Sequence, residues 1–286
     1  MNDKYINLFT DYGFKKIFGE EPNKDLLIGF LNALLDKQEH ITDLTYLKNE
    51  QLGRNQGERR AIYDLYCSND RGEKFIVEIQ RVKQQYFKDR SLYYSTFAIQ
   101  EQARKGDDWK YQLKHVYTIG ILDFQFDDNT PEFHHHVQLV EVNTQRIFYD
   151  KLTFIYLEIP KFNKALSELK NDYEKWLFAF KNLHKLSDKP IALQDGIFKK
   201  LLEAAEITKL DQCSFDEYQD SLKVYWDLKS SMDSYYLDGK KDGEQEKAKQ
   251  IAINLLKANI DTQLIIAATD LPIDIIEELK NTLGKN

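Results

Sequence analysis

The strongest restraint on the fold is a pair of β-rich segments joined by a short polar turn. Residues 60–67 read RAIYDLYC and residues 74–80 read KFIVEIQ, with SNDRGE between them. Apolar alternation bounded by Asn, Asp and Gly predicts a β-hairpin. A strand sends alternate side chains to opposite faces. Phe75, Val77 and Ile79 therefore share one face, and Ile76, Glu78 and Gln80 the other. A hairpin folded about residue 71 sets position 64 opposite position 78. Asp64 and Glu78 then become cross-strand neighbours.

Like charges placed directly opposite destabilise a sheet. The pair makes chemical sense with a cation between its members. Two carboxylates, a carbonyl or amide oxygen and several waters suit Mg²⁺. Such an ion polarises a phosphoryl oxygen and acidifies a bound water. The alternative is an edge hairpin whose polar face is simply wet.

Length and charge narrow the class. The chain has 286 residues, is 13% aromatic and carries a net charge of −7. Its length suits one large domain with an appendage, or two domains. Its aromatic content excludes disorder. The acidic balance argues against a generic polyanion binder, but Arg81–Lys114 holds eight Lys and Arg against four acids, a local +4. That segment reads either as a solvated helix face or as a phosphate contact. Cys67 and Cys213 make no disulfide framework and no zinc spacing, so a cytoplasmic setting is expected. No signal peptide and no bilayer-spanning run is read.

Thr10 and Asp11 precede GFKKIFG, a short helix with an N-cap. An amphipathic helix follows Pro22, with apolar residues from Leu26 to Leu35 at helical spacing. Residues 41–50 read as extended, and 82–105 as a helix stopped by Gly106. Residues 115–123, 136–143 and 151–159 read as strands. After Pro160 the pattern is helical: 164–183, 195–207, 214–236, 241–258, 261–269 and 273–283. Gly239 and Gly243 are the weakest seam. The expected domains are 1–160, a helical extension over 161–238, and a small helical module over 239–286.

Three segments together resemble the PD-(D/E)XK nuclease superfamily, and more closely the Rpn family of recombination-promoting nucleases. They are FTDYGFKKIFG, RRAIYDLYCSNDRGEKFIVEIQ and YFKDRSLYYSTFAIQEQARKGDDWKYQLKHVYTIGILDF. The resemblance covers roughly residues 3–160, and more weakly the C-terminal GKKDGEQEKAKQIAINLLKANIDTQLIIAATDLPIDIIEEL. It implies an α/β fold: a restriction-endonuclease-like mixed sheet flanked by helices, here with an all-α C-terminal extension. It also implies cleavage of DNA with Mg²⁺ or Mn²⁺, in recombination, mobile DNA or defence.

Carried over by position, Asp64 matches the metal-binding Asp, Glu78 the (D/E), and Gln80 the Lys. Gln hydrogen-bonds but carries no charge. Arg81, Lys83, Lys15 or Lys16 are the candidates to supply it. Asp11 is either a third metal acid or an N-cap. Arg90, Lys83 and Arg81 are candidate DNA contacts. Tyr93 and Tyr94 are core residues with polar tips or lie beside the DNA. Loss of the Lys also leaves open a catalytically weak DNA-binding or protein-interaction member of the fold.

His134–His136 alternate faces in a strand, with no partner acid placed by the sequence, and read as a surface run. Cys67 reads as a small buried residue. Residues 261–285 hold five acids and two lysines, the wrong sign for groove reading. Their dense apolar set suits self-association or docking on the core. Met232 reads as an ordinary core methionine, or as an internal start that yields the module alone.

Overall fold

The computed structural model describes residues 3–35, 40–51, 61–103, 110–126 and 130–283. Helix α1 (Asp11–Phe18) is capped by Thr10, whose hydroxyl accepts from the Gly13 N–H at 3.0 Å. Asp11 is thus the first helical residue and not the cap. Helix α2 (Lys24–Leu34) follows a short 3₁₀ turn containing Pro22 and buries Leu26, Leu27, Phe30, Leu31 and Leu34.

Strands β1 (Leu44–Tyr46), β2 (Glu50–Gln51), β3 (Ala61–Ile62), β4 (Leu65–Asn69) and β5 (Lys74–Gln80) come next. The turn between β4 and β5 closes on itself. Asn69 Oδ1 accepts from the N–H groups of Arg71 and Glu73 at 3.1 and 3.0 Å. Gly72 supplies the φ of 80° that side chains disfavour. β4 and β5 pair antiparallel, Leu65 opposite Val77 and Cys67 opposite Phe75. The single strand expected over 60–67 is instead two, β3 and β4, and β3 pairs with β2 in a separate ribbon. The break falls at Tyr63–Asp64, where carboxylates replace ladder bonds.

Helix α3 (Phe87–Gln100) is shorter at both ends than the expected 82–105. Before it, Arg81 and Gln80 bind backbone carbonyls. Gly106, the expected stop, lies outside the described residues. Strands β6 (Val116–Leu122), β7 (His134–Glu141) and β8 (Arg146–Glu158) complete the sheet. Among the described residues it has six strands, ordered β1-β4-β5-β6-β8-β7. The centre is parallel, with Glu78 level with Gly120 and Tyr156, and Gln80 level with Leu122 and Glu158. This is the mixed α/β architecture expected from the sequence.

The two faces of β5 enter two cores. Phe75, Val77 and Ile79 pack with Phe18, Phe30, Trp176 and Phe180. Ile76 packs with Tyr63, Tyr66, Phe87, Phe154 and Tyr156. Phe18 stacks on Phe180 at 5.6 Å and meets Trp176 at 5.7 Å. Each such ring contributes roughly 1.5–3 kcal/mol by burial. Helix α4 (Asp172–Asn182), opened by Asn171, and helix α5 (Gly196–Ala204) thus share a core with α1 and α2. The region expected as one helix over 164–183 holds a 3₁₀ turn and then α4.

Helix α6 (Gln212–Lys257) is continuous where two helices are expected, and Gly239 and Gly243 lie inside it. Its first turns meet the N-terminal segment. Asn7 N–H donates to Tyr218 Oη at 3.0 Å, and Tyr12 N–H to Ser221 Oγ at 3.1 Å. The chain divides into two compact units, Met1–Trp226 and Asp227–Asn286. The second has its own small core of Ala252, Ile265, Leu271 and Ile276, built with helices α7 (Thr262–Thr269) and α8 (Ile273–Leu283). Asp270, in the left-handed region at φ 52°, ends α7. Met232 is not a core residue; it is 36% exposed. Among the described residues no helix is long and apolar enough to cross a membrane.

Candidate active site

Asp64 and Glu78 interlock at the end of the hairpin. The Asp64 N–H donates to Glu78 Oε1 at 3.3 Å, and Asp64 Oδ2 accepts from the Ile79 N–H at 2.7 Å. Asn49 Nδ2 donates to the Asp64 carbonyl at 3.0 Å, tying β2 to the same point. Each acid accepts a backbone N–H through one carboxyl oxygen.

The pair is electrostatically costly. Burial raises the Glu78 carboxyl to about 8, and the Asp64 charge adds to the rise; Arg90 and the Asp64 N–H oppose it. Burial also raises Asp64; the Ile79 N–H opposes this, Asp11 adds to it, and Arg81 and Lys15 oppose it. Desolvated neighbouring carboxyls are what a divalent cation would relieve. Their chemistry fits a hard ion whose remaining positions go to water or phosphate oxygens.

The described residues hold no group of three His, Cys, Asp or Glu fit to bind a metal. Asp11 lines the same cleft of about 520 Å³ as Asp64. Its carboxylate is engaged by Lys15 Nζ at 2.9 Å and lies 3.8 Å from Arg81 Nη2. The structure does not bring it into one cluster with the pair.

Gln80 is buried, and both ends of its amide are used. Nε2 donates to the Val82 carbonyl at 2.9 Å, and Oε1 accepts from Arg90 Nη2. Arg90 reaches it from the first turn of α3, while its Nη1 donates to Gln84 Oε1 at 2.6 Å. The guanidinium lies over the rings of Phe87 and Tyr94, at 5.6 and 5.7 Å.

Helix α3 is fixed to the sheet on this face. Phe87 packs closely over Gly120, where a Cβ would come within 3.2 Å of the Phe87 ring and 3.0 Å of Tyr156. At the far end Glu101 binds Tyr66 Oη and, at 2.9 Å, Lys74 Nζ.

The remaining candidates separate. Arg81 Nε donates to the Phe9 carbonyl at 2.8 Å, so its head is turned inward. Lys83 is exposed and lines a cleft with Gln84, Phe124 and Phe126. Tyr94 joins the core, whereas Tyr93 is 41% exposed. Cys67 is buried, and burial pushes its thiol up to about 12.

The His run has an acid partner after all. His135 Nε2 contacts Glu158 Oε1, which also takes Lys161 Nζ at 2.9 Å. Glu158 Oε2 accepts from the Phe126 N–H at 2.8 Å. No sequence signal links these residues, because strand pairing alone joins them.

The chain is thus a mixed α/β protein with an Asp–Glu pair on its central hairpin and the next helix over that face. The family model for PD-(D/E)XK nuclease family transposases matches residues 8–235, and the chain belongs to that family. No curated protein and no solved structure matches it. Nucleases of this family generally use divalent metals.

Proposed function

We propose that the chain is a metal-dependent DNA endonuclease acting at Asp64, Glu78 and Gln80. The observation that carries this is the interlocked Asp64–Glu78 pair, two partly buried carboxyls each accepting an N–H from the neighbouring stretch of backbone. Asp64 and Glu78 would hold Mg²⁺ or Mn²⁺, which supplies charge to a phosphate oxygen and acidifies water. The Ile79 N–H fixes the Asp64 rotamer, and the Asp64 N–H fixes Glu78.

In the reaction a water oxygen bonds to phosphorus and the bond to the leaving oxygen breaks. That oxygen takes up the released proton through solvent. Gln80 orients the water through the amide N–H not given to Val82. Lys83 and Arg90 meet backbone phosphates. The C-terminal unit serves self-association or regulation; its exposed Leu264 and Ile273 support that reading. Two free cysteines suit the cytoplasm, and the family's transposase description supports a role in mobile DNA.

The test is supercoiled plasmid with Mg²⁺ or EDTA, beside Glu78→Ala. Metal-dependent nicking lost in the variant supports the reading. Equal products from both proteins sink it. A second reading, a catalytically weak DNA-binding member, is favoured by the uncharged Gln80. It expects metal-independent, salt-sensitive DNA binding without cleavage.

A further inference from the structure

The family position that carries Lys carries Gln80 here, so the positive charge beside the scissile phosphate must come from elsewhere. The sequence offers Lys15, Lys16, Arg81 and Lys83. The structure points to a residue outside that set. We propose that Arg90 is a catalytic residue that supplies this charge from helix α3, held in place by the Gln80 amide oxygen. The proposal rests on the nuclease reading above and names the group that completes its site.

The geometry argues it. The Lys ammonium would extend from position 80 toward the place where the Gln80 amide ends. Arg90 Nη2 lies against that amide oxygen. Lys15 and Lys16 line the cleft of Asp64, and these two and Arg81 already have partners of their own. Lys15 Nζ holds Asp11 at 2.9 Å, Lys16 Nζ holds Glu20 at 3.1 Å, and Arg81 Nε holds the Phe9 carbonyl at 2.8 Å. Lys83 is exposed and lines a cleft with Gln84, Phe124 and Phe126.

Arg90 is also preorganised. Gln80 and Gln84 take one N–H each, and the rings of Phe87 and Tyr94 support the guanidinium. Its remaining donors are free to form the planar, paired contact that phosphate oxygens accept. A fixed cation in a partly desolvated site stabilises developing charge more than a mobile one does. Arg90 neither gains nor loses a proton in the step.

Gln80 fits this role better than a Lys would. Its neutral oxygen accepts from Arg90, whereas an ammonium would repel the guanidinium. Substitution at 80 and substitution at 90 should therefore compensate.

The experiment compares wild type, Arg90→Gln, Arg90→Lys, Gln80→Lys/Arg90→Gln and Glu78→Gln in single-turnover cleavage at saturating Mg²⁺ and DNA. Arg90→Gln is expected to cut roughly 100-fold more slowly, while its DNA affinity moves less than about tenfold. Its Mn²⁺ affinity without DNA, read by electron paramagnetic resonance, should hold or tighten, because a cation leaves the acids. Gln80→Lys/Arg90→Gln should regain at least about tenfold over Arg90→Gln, a recovery that repaired packing alone does not give. Arg90→Lys, which keeps the charge, should fall between, and melting curves exclude unfolding.

Arg90→Gln cutting within about threefold of wild type overturns the proposal, as does a loss confined to DNA affinity. So does a folded double variant with no recovery. Glu78→Gln dead with Arg90→Gln intact overturns Arg90 alone. A wild-type chain that cuts nothing overturns the nuclease reading with it.

Discussion

Asp64 and Glu78 each spend one carboxylate oxygen on the other's stretch of backbone: the Asp64 N–H on Glu78 Oε1, and the Ile79 N–H on Asp64 Oδ2. The contact holds two carboxyl groups close together in a partly buried place. Its cost should be visible in stability. The Glu78 carboxyl is raised from 4.5 to about 8, by burial first and then by the Asp64 charge. Between those values the folded chain keeps a proton that the unfolded chain has released. Stability without metal therefore falls as pH rises through this window, by up to about 1.4 kcal/mol per pH unit for one proton. Glu78→Gln removes that slope. Urea denaturation in EDTA at pH 5, 7 and 8.5 should show the variant gaining about 1–3 kcal/mol over wild type toward the alkaline end. Parallel pH profiles would show that the pair is not coupled to folding.

A divalent cation should reverse the same cost. Mn²⁺ or Mg²⁺ at about 100 times its dissociation constant would stabilise the folded chain by about 2.7 kcal/mol. Thermal melts of wild type should rise with metal, and those of Asp64→Asn and Glu78→Gln should not. Binding near pH 7 should also release protons, since Glu78 is held largely protonated without metal. Calorimetry in buffers of different ionisation enthalpy reads that release directly. Identical shifts in all three proteins would place the metal elsewhere.

Gly120 sets the distance of helix α3 from the sheet. A methyl there meets Tyr156 and the Phe87 ring at 3.0 and 3.2 Å, and both belong to a packed core. Gly120→Ala should cost about 1–3 kcal/mol by overpacking. It should also slow cleavage, because Phe87 opens the helix that carries Arg90. A fully stable variant would mean that α3 is free to shift.

One of the two hydroxyls that tie the first turns of α6 to the N-terminal segment is fully buried. Tyr218 Oη accepts from the Asn7 N–H at 3.0 Å, across 211 residues of chain. Tyr218→Phe leaves that buried N–H without its acceptor, at a cost of about 1–3 kcal/mol. Chemical denaturation against wild type measures it. A neutral result would mean that water takes the place of the hydroxyl.

The sequence makes the hairpin legible because a turn and an alternating pattern together set its register. Position 64 opposite 78 follows from arithmetic, and β4 and β5 pair in the register that continues to it. The Gln80–Arg90 contact is not legible. It joins side chains on a strand and on a helix, and depends on how closely Phe87 approaches Gly120. The His135–Glu158 contact is hidden for a similar reason, since β7 and β8 meet through a hairpin with shifted register. The cap of α1 is ambiguous in the sequence: Thr10 and Asp11 are both cap formers, and only the geometry shows that Thr10 does the capping.

The second unit offers the opposite lesson. Glycine costs a helix about 1 kcal/mol relative to alanine, so Gly239 and Gly243 look like a seam. Both lie inside α6, and a Cβ at either would meet nothing within 4 Å. Neither has the positive φ that would exclude a side chain. Gly239→Ala and Gly243→Ala should therefore each stabilise the helix by about 0.5–1 kcal/mol, through a less flexible unfolded chain and higher helix propensity. Together they should raise helical circular dichroism and leave cleavage unchanged, since both glycines belong to the second unit and Asp64 and Glu78 to the first. A loss of helicity would mean that α6 bends at these glycines in solution. Unchanged folding with altered cleavage would mean instead that a flexible joint at this point regulates the nuclease.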